Sequence, residues 1–253
     1  QGRNIVDMLM VAVAVSVGAI PEGLPAAVTI ILAIGVGRMA KRKAIIRKLP
    51  AVETLGSTTV ICSDKTGTLT ENQMTVVRVM TARTIYSIDG TGYQPEGDIR
   101  AMNPDGDAGP VVHVGHDLAL LETLRAGVLC STSTVSNAHG VWSAVGDPTE
   151  AAIIVAGMKA NMHRDVEQEL LPLVDMLPFS SERQYMATLH RTTVSSERMY
   201  VKGSLEAVLH RCSYAMKADG SLAEFSETNL KTIAELQSAR GYRVLACALR
   251  NID

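Results

Sequence analysis

The chain has 253 residues, 47% of them apolar, with 24 basic residues against 26 acidic for a net charge of −2. That length holds one large domain or two small ones, and so balanced a charge singles out no charged partner; no nucleic acid is expected. The cysteines, Cys62, Cys130, Cys212 and Cys247, lie far apart with no C-x-x-C pair, which argues against a zinc site and a disulfide framework and fits a reducing, cytosolic setting for the soluble part.

Apolarity is concentrated near the start. Residues 8–37 carry a single charge, Glu22, and about 20 apolar residues span a bilayer, so 5–37 reads as a transmembrane helix. Arg38, Lys41, Arg42, Lys43, Arg47 and Lys48 follow with no acidic residue among them, which places everything after about residue 40 in the cytosol. Inside the span, Pro21 and Pro25 remove amide donors that a continuous helix would use, so unwinding is expected over 20–25. Carbonyls freed at membrane depth must face protein or a water-filled cavity, and a glutamate beside them is costly unless it has a function. Together they make an oxygen-rich site suited to a hard cation such as calcium.

A basic stalk leads into Leu49-Pro50-Ala51-Val52-Glu53-Thr54-Leu55-Gly56, a short turn and helix, and then into an apolar β-branched run, 58–62, which reads as a strand. Its exit is Ile61-Cys62-Ser63-Asp64-Lys65-Thr66-Gly67-Thr68-Leu69-Thr70. A carboxylate at the end of a strand, followed by a Gly/Thr-rich turn, is held where a phosphate can reach it. Gly67 permits close backbone approach, Lys65 adds positive charge, and the N–H groups and hydroxyls of Thr66, Thr68 and Thr70 can meet phosphate oxygens. Asp64 is therefore a candidate nucleophile toward phosphorus. In a soluble phosphatase built this way, an aspartate two residues on would serve as general acid; Thr66 holds that place and favours a long-lived phosphoenzyme.

From about Met74 the pattern changes to strands over 75–88, a turn at Gly90-Thr91-Gly92-Tyr93 and a Gly/Asp/Pro-rich loop over 95–110. His113 and His116 form an H-x-x-H in a Gly-rich loop with no further ligand cluster. Helical periodicity covers 117–130, 147–159, 163–171, 204–212 and 226–240; strands are expected at 141–145, 185–191, 199–201 and 242–248. The reading is a mixed α/β domain with an antiparallel sheet over 81–253, following a segment, 38–80, that joins it to the membrane. No G-x-x-x-x-G-K-[ST] loop occurs, so any nucleotide must be held by side chains. Phe179, in a polar neighbourhood, reads as core or as a base-stacking face. Lys202, between a strand and Gly203, reads as solvated or as lining a pocket. Gly146-Asp147-Pro148-Thr149-Glu150 is the expected opening of a helix, with Asp at N-cap, Pro at N1 and Glu at N3.

The decapeptide around Asp64 resembles the phosphorylation motif of P-type ATPases, the cation pumps that pass through an aspartyl-phosphate, and the similarity runs from the membrane segment to the end of the chain. Within that family the sequence is most similar to the calcium-pump branch. The resemblance implies an α/β fold with three parts: a transmembrane helix, the first part of a Rossmann-like, haloacid-dehalogenase-type phosphorylation domain, and an inserted α+β nucleotide-binding domain. It implies Asp64 as phosphoryl acceptor with Lys65, Thr66, Gly67 and Thr68 around it, Mg2+ on Asp64 and the carbonyl of Thr66, and ATP as substrate. For the transported cation, most simply Ca2+, the implied ligands are the carbonyls of Val17, Gly18 and Ile20 and the carboxylate of Glu22. Around the nucleotide it assigns Phe179 to adenine stacking, Glu150 to the adenine amino group, Lys202 and Gly203 to the pocket, and Arg243 and, more weakly, Arg183 to the phosphates. Gln184 stands where a second pocket lysine is usual, and Ser204-Leu205 where Ala-Pro is common. The same resemblance implies a fragment of a multi-pass pump of a prokaryotic plasma membrane. Its remaining partners would be the lipid bilayer, an actuator domain, the rest of the phosphorylation domain and further membrane helices.

Overall fold

The computed structural model describes residues 4–21, 23–103, 105–192 and 196–252. The chain forms two compact units, 1–65 and 66–253.

The first unit opens with helix α1 (Ile5–Gly18), whose N-cap Asn4 side chain accepts from Val6 N at 3.4 Å, and continues as α2 (Gly23–Lys41). Residues 5–41 are long and apolar enough to cross a membrane, and none of the apolar window is buried. Hydroxyls in this stretch bond back to the helix: Ser16 to the Ala12 carbonyl at 2.7 Å and Thr29 to the Pro25 carbonyl at 2.8 Å, which removes a desolvation cost of exposed donors. The unwinding expected over 20–25 is shorter: α1 ends at Gly18, residues 19–21 are non-helical, and α2 already begins at Gly23. Pro25 falls in its first turn, where a missing N–H has no helical partner to lose. Glu22 lies outside the described residues.

Helix α2 ends in a Schellman turn. Lys43 N–H bonds the Ala40 carbonyl and Ala44 N–H the Met39 carbonyl, at 2.9 and 3.0 Å, with Lys43 at φ 64, a left-handed conformation usually given to glycine. The chain then returns, so that in α3 (Ala51–Gly56) Val52 lies against α2 at Gly35, where an added Cβ would be 3.3 Å from Val52 Cγ1. The strand expected over 58–62 is not formed: these residues have no strand or helix assignment and Val60 and Ile61 are exposed. A strand needs a ladder partner for its N–H and C=O groups, and none pairs with 58–62 among the described residues. Nor does a parallel sheet form there, so the Rossmann-like layer expected around Asp64 is not part of the observed fold.

The second unit is mixed α/β with antiparallel sheets. Strands β1 (Arg78–Met80), β2 (Ile85–Ile88), β3 (Ile99–Met102) and β4 (Ala108–Val111) form a four-stranded meander. Helix α4 (Leu118–Leu129) follows, then the hairpin β5 (Thr134–Ala138) and β6 (Val141–Val145), then helices α5 (Pro148–Lys159) and α6 (Arg164–Leu170). Strands β7 (Leu173–Ser180), β8 (Tyr185–Arg191), β9 (Glu197–Gly203) and, after α7 (Leu205–Leu209), the short pair β10 (Ala215–Met216) and β11 (Leu222–Ala223) and helix α8 (Glu227–Ala239), the last strand β12 (Ala246–Ile252) complete it. The second large sheet runs β12-β9-β8-β7.

Helix α4 sits between the two large sheets, and its sequence explains why. Apolar on most of its circumference, it has no solvent face to offer. Leu120 and Leu124 join Val79, Tyr86, Ile88 and Ile99 of the meander in one core, while Ala126, Leu129 and Cys130 join Met186 and Tyr200 of the second sheet in another. Burying Leu120 completely contributes about 2–3 kcal/mol. Its N-cap, Asp117, accepts from Leu120 N at 2.9 Å and takes the Tyr86 hydroxyl on its other oxygen. Glycines bring α4 and α5 close: a Cβ on Gly127 would lie 2.5 Å from Ile153 Cγ2, and one on Gly157 2.3 Å from Val128 Cγ2.

Three differences from the expected elements have physical causes. Strand β3 and most of β4 lie in the expected 95–110 loop, and β7 was not expected at all; β4 and β7 each carry a proline, Pro110 and Pro178, and both are edge strands, the one place in a sheet where a missing N–H is tolerated. Strand β5 was missed because its hairpin turns on His139 and Gly140, both at positive φ, rather than on an Asn-Gly pair. Strand β12 begins at Ala246, not 242, because pairing starts where Gly203 stands opposite.

Candidate functional site

Helix α5 begins as the sequence suggests. Asp147 caps it, its Oδ1 accepting from Thr149 N at 2.7 Å and Glu150 N at 3.2 Å, with Pro148 at the first helical position. Glu150 is thereby held at the helix start with its carboxylate directed across to the segment that leaves α4. There Oε2 accepts from Thr132 N at 2.7 Å, Thr132 Oγ1 at 3.0 Å, Ser133 N at 3.1 Å and Ser133 Oγ at 3.3 Å. Its other oxygen takes Lys202 Nζ at 3.0 Å.

Lys202 projects from the end of β9 and is buried, 5% exposed, an unusual place for an ammonium unless it is paired. Besides Glu150 it donates to Ser131 Oγ at 2.9 Å. Burial alone would raise the Glu150 carboxyl, but the Lys202 charge and the Thr132 and Ser133 N–H groups outweigh it and hold it below the ordinary 4.5. Burial pushes the neighbouring Cys130 thiol up to about 11, so it stays neutral beside the pair.

Strand pairing places more of the candidates along one line. Cys247, Lys202 and Met186 are partners across β12, β9 and β8, and Ala246, Gly203, Tyr185 and Ser180 form the adjoining row. Phe179 precedes Ser180 in a bulge of β7, level with the Lys202 row and two strands away, about 10 Å at the usual interstrand spacing. It is 57% exposed, so it is not core. Gly203 is required where it stands: a Cβ would be 2.4 Å from the Gln184 carbonyl and 2.5 Å from Tyr185 Cβ. Gln184, at φ 59, is fixed by Gln184 N donating to Ser180 O at 2.7 Å and by Ser204 N donating to its carbonyl at 2.8 Å; the Ser204 hydroxyl donates to its Oε1 at 3.2 Å. Arg183 donates to the Pro178 carbonyl at 2.8 Å, next to Phe179. Arg243 comes from the loop before β12 and donates to Thr149 Oγ1 at 3.1 Å, one residue from Glu150.

Glu150, Lys202 and Arg243 are thus gathered at the start of α5, and Phe179, Arg183 and Gly203 flank the row beside them. Ser131, Thr132 and Ser133, which hold Glu150 and Lys202, were not anticipated; three consecutive hydroxyl residues directly after a helix were the available signal. His113 and His116 have ring centroids 5.8 Å apart, and no group of three or more potential ligands among the described residues could hold a metal.

The remaining candidates belong elsewhere. Asp64 and Lys65 close the first unit, and Thr66, Gly67 and Thr68 open the second. Asp64 is exposed and its carbonyl accepts from Ser63 Oγ at 3.1 Å; Gly67, at φ 72, donates its N–H to Thr70 Oγ1 at 3.4 Å. In the membrane segment the Val17 carbonyl accepts from Ile20 N at 3.2 Å, and Gly18 ends α1.

Residues 119–253 match the family model described as P-type ATPase, cytoplasmic domain N. The chain is similar to a cation-transporting ATPase of Synechocystis sp. at 45% identity over all of this chain and 28% of that protein. It is 47% identical to a probable cation-transporting ATPase of Mycobacterium tuberculosis over 98% of this chain and 27% of that one, and 36% identical to a calcium-transporting ATPase of Bacillus subtilis over 100% and 28%. It therefore spans a little over a quarter of the length of these curated relatives.

Proposed function

The chain belongs to the P-type ATPase family, and on that premise we propose that it is the part of an ATP-driven cation pump that holds the nucleotide and carries the phosphoryl acceptor. The observation that supports this best is the pairing of buried Lys202 with half-buried Glu150 at the start of α5, with Arg243 one residue away. A buried ammonium held against a carboxylate is expensive as scaffolding alone, but it suits a pocket that must offer both an acceptor and a cation to one ligand. In the proposed complex Phe179 stacks on the base, Glu150 accepts from its amino group, Lys202 and Gly203 line the pocket, and Arg243 and Arg183 meet phosphate oxygens.

The reaction proposed is attack of an Asp64 carboxylate oxygen on the γ-phosphorus as the bond to the β,γ-bridging oxygen breaks, leaving an aspartyl-phosphate and ADP. Lys65, Thr66, Gly67 and Thr68 supply charge and hydrogen-bond donors to the transferred group, so the work is positioning and neutralisation. Mg2+ fits this donor set: the Asp64 carboxylate and Thr66 carbonyl are hard oxygens, and this ion is commonly bound by one or two carboxylates plus substrate phosphates. When bound it neutralises phosphate charge.

The cation is proposed to be Ca2+, with Val17, Gly18, Ile20 and Glu22 as ligands and residues 5–37 in a prokaryotic plasma membrane. The oxygen donors of these residues suit a hard cation, and the name of the Bacillus subtilis relative supports calcium over manganese, sodium or broad specificity. A second reading, a membrane-tethered nucleotide-binding module without chemistry, draws on the absence of sheet pairing at 58–62. Labelling the full-length parent with γ-labelled ATP separates them: acid-stable label is expected and is lost in Asp64→Asn, whereas label that persists in the variant, or never forms, removes the pump reading. Calcium stimulation of that label above manganese and sodium is the expected outcome for the ion.

A further inference from the structure

Six cations, Arg38, Lys41, Arg42, Lys43, Arg47 and Lys48, lie within eleven residues directly after the apolar stretch, and all are exposed. Two observations say where they stand. The Schellman turn at Lys43 ends α2 and reverses the chain, and the Gly35–Val52 contact shows that the returning segment runs back alongside the helix rather than away from it. The apolar stretch, 8–37, has its midpoint between the end of α1 at Gly18 and the start of α2 at Gly23. Half of an about 30 Å hydrocarbon layer is about ten helical residues, so the layer ends near residue 32 and Gly35 stands at headgroup depth. The cations of the turn and the returning loop are then held just above that plane, within reach of long side chains and within a Debye length. Ile45, 88% exposed between Lys43 and Arg47, adds an apolar side chain of the kind that partitions into an interface.

We propose that this reversed basic hairpin, residues 38–48, is a binding surface for anionic phospholipid headgroups of the leaflet that the helix leaves. Complementary charge and continuity with the apolar segment select lipid as occupant: juxtamembrane clusters of this size attract anionic lipid, and within 38–48 there is no acidic side chain to neutralise them. The inference rests on reading 5–37 as a membrane span.

The test reconstitutes the 253-residue chain in phosphatidylcholine nanodiscs carrying a trace of spin-labelled phosphatidylglycerol or phosphatidylcholine, and measures the motionally restricted fraction of each by electron paramagnetic resonance. At least about a threefold preference for the anionic lipid is expected at low salt. It should fall to near unity in about 0.5 M salt and in the Lys41→Gln/Arg42→Gln/Arg47→Gln/Lys48→Gln variant. Restricted lipid of both kinds with no preference, or a preference that the variant keeps, overturns this inference alone. No restricted lipid of either kind overturns the membrane span and this inference with it. Millimolar inorganic phosphate should leave the preference intact; its loss would assign the cluster to a soluble anion instead and overturn the lipid surface.

Discussion

The two units of this chain solve the same problem in opposite ways. In residues 66–253 the apolar side chains of the meander, the second sheet and α4 are buried against one another in two cores; in 1–65 no described residue is buried, although this is the more apolar part. A surface of that kind is stable only against lipid or other protein. The polar groups follow the same division. In the second unit a half-buried carboxylate and a buried ammonium are satisfied by named neighbours, whereas in the first the hydroxyls turn back on their own helix. Structure in the second unit is thus supplied from within, and in the first it depends on surroundings.

Hydrogen exchange probes that contrast most severely. In the nanodisc-embedded chain, amides of 119–129 should be slowed by a factor on the order of 10⁴ or more and those of 58–64 hardly at all; comparable protection in both would show that the Asp64 segment is held by structure of its own. Next in size, Lys202→Met leaves the half-buried Glu150 carboxylate without its counter-charge and should cost about 2 kcal/mol in thermal unfolding while weakening ATP binding. An unchanged melting temperature would mean that the pair is not a balanced buried unit. Because the Glu150 carboxyl titrates lower in the folded state than in the unfolded one, its share of stability is complete above about pH 4.5 and drains away as pH falls through the depressed value. Glu150→Gln should therefore flatten the acid limb of a stability profile below that pH; an unaltered limb would place the titrating group elsewhere. The smallest effect expected is from Gln184→Lys, which adds a cation beside Gly203 and should tighten ATP about fivefold by calorimetry, close to 1 kcal/mol. No gain would put position 184 outside the pocket.

Much of the second unit was legible in sequence, and its failures have a common origin. Helices with a polar cap and an apolar stripe, α4, α5 and α8, were found within a residue or two, since Asp117, Asp147 and Ser226 announce their starts. Strands β6 and β8 span the residues expected of them, 141–145 and 185–191. What escaped were short or irregular strands: β3 and β4 in a stretch read as loop, the proline-bearing edge strand β7, β5 with its His-Gly turn, and the two-residue pair β10 and β11. In the candidate site the position of Glu150 is announced by the helix start that it belongs to, whereas Ser131, Thr132 and Ser133 meet it only because α4 ends opposite α5. The strand before Asp64 was expected from composition, yet β-branched residues confer an inclination to pair and nothing to pair with.

Gly127 and Gly157 let the side chains of Ile153 and Val128 seat directly on the facing helix backbone, so α4 and α5 press together. One helix delivers the three hydroxyl residues and the other delivers Glu150, so the gap between their axes is the gap across which that carboxylate must reach. A single methyl group introduced at either glycine would act as a wedge, detuning ligand recognition from a seam that no ligand ever touches.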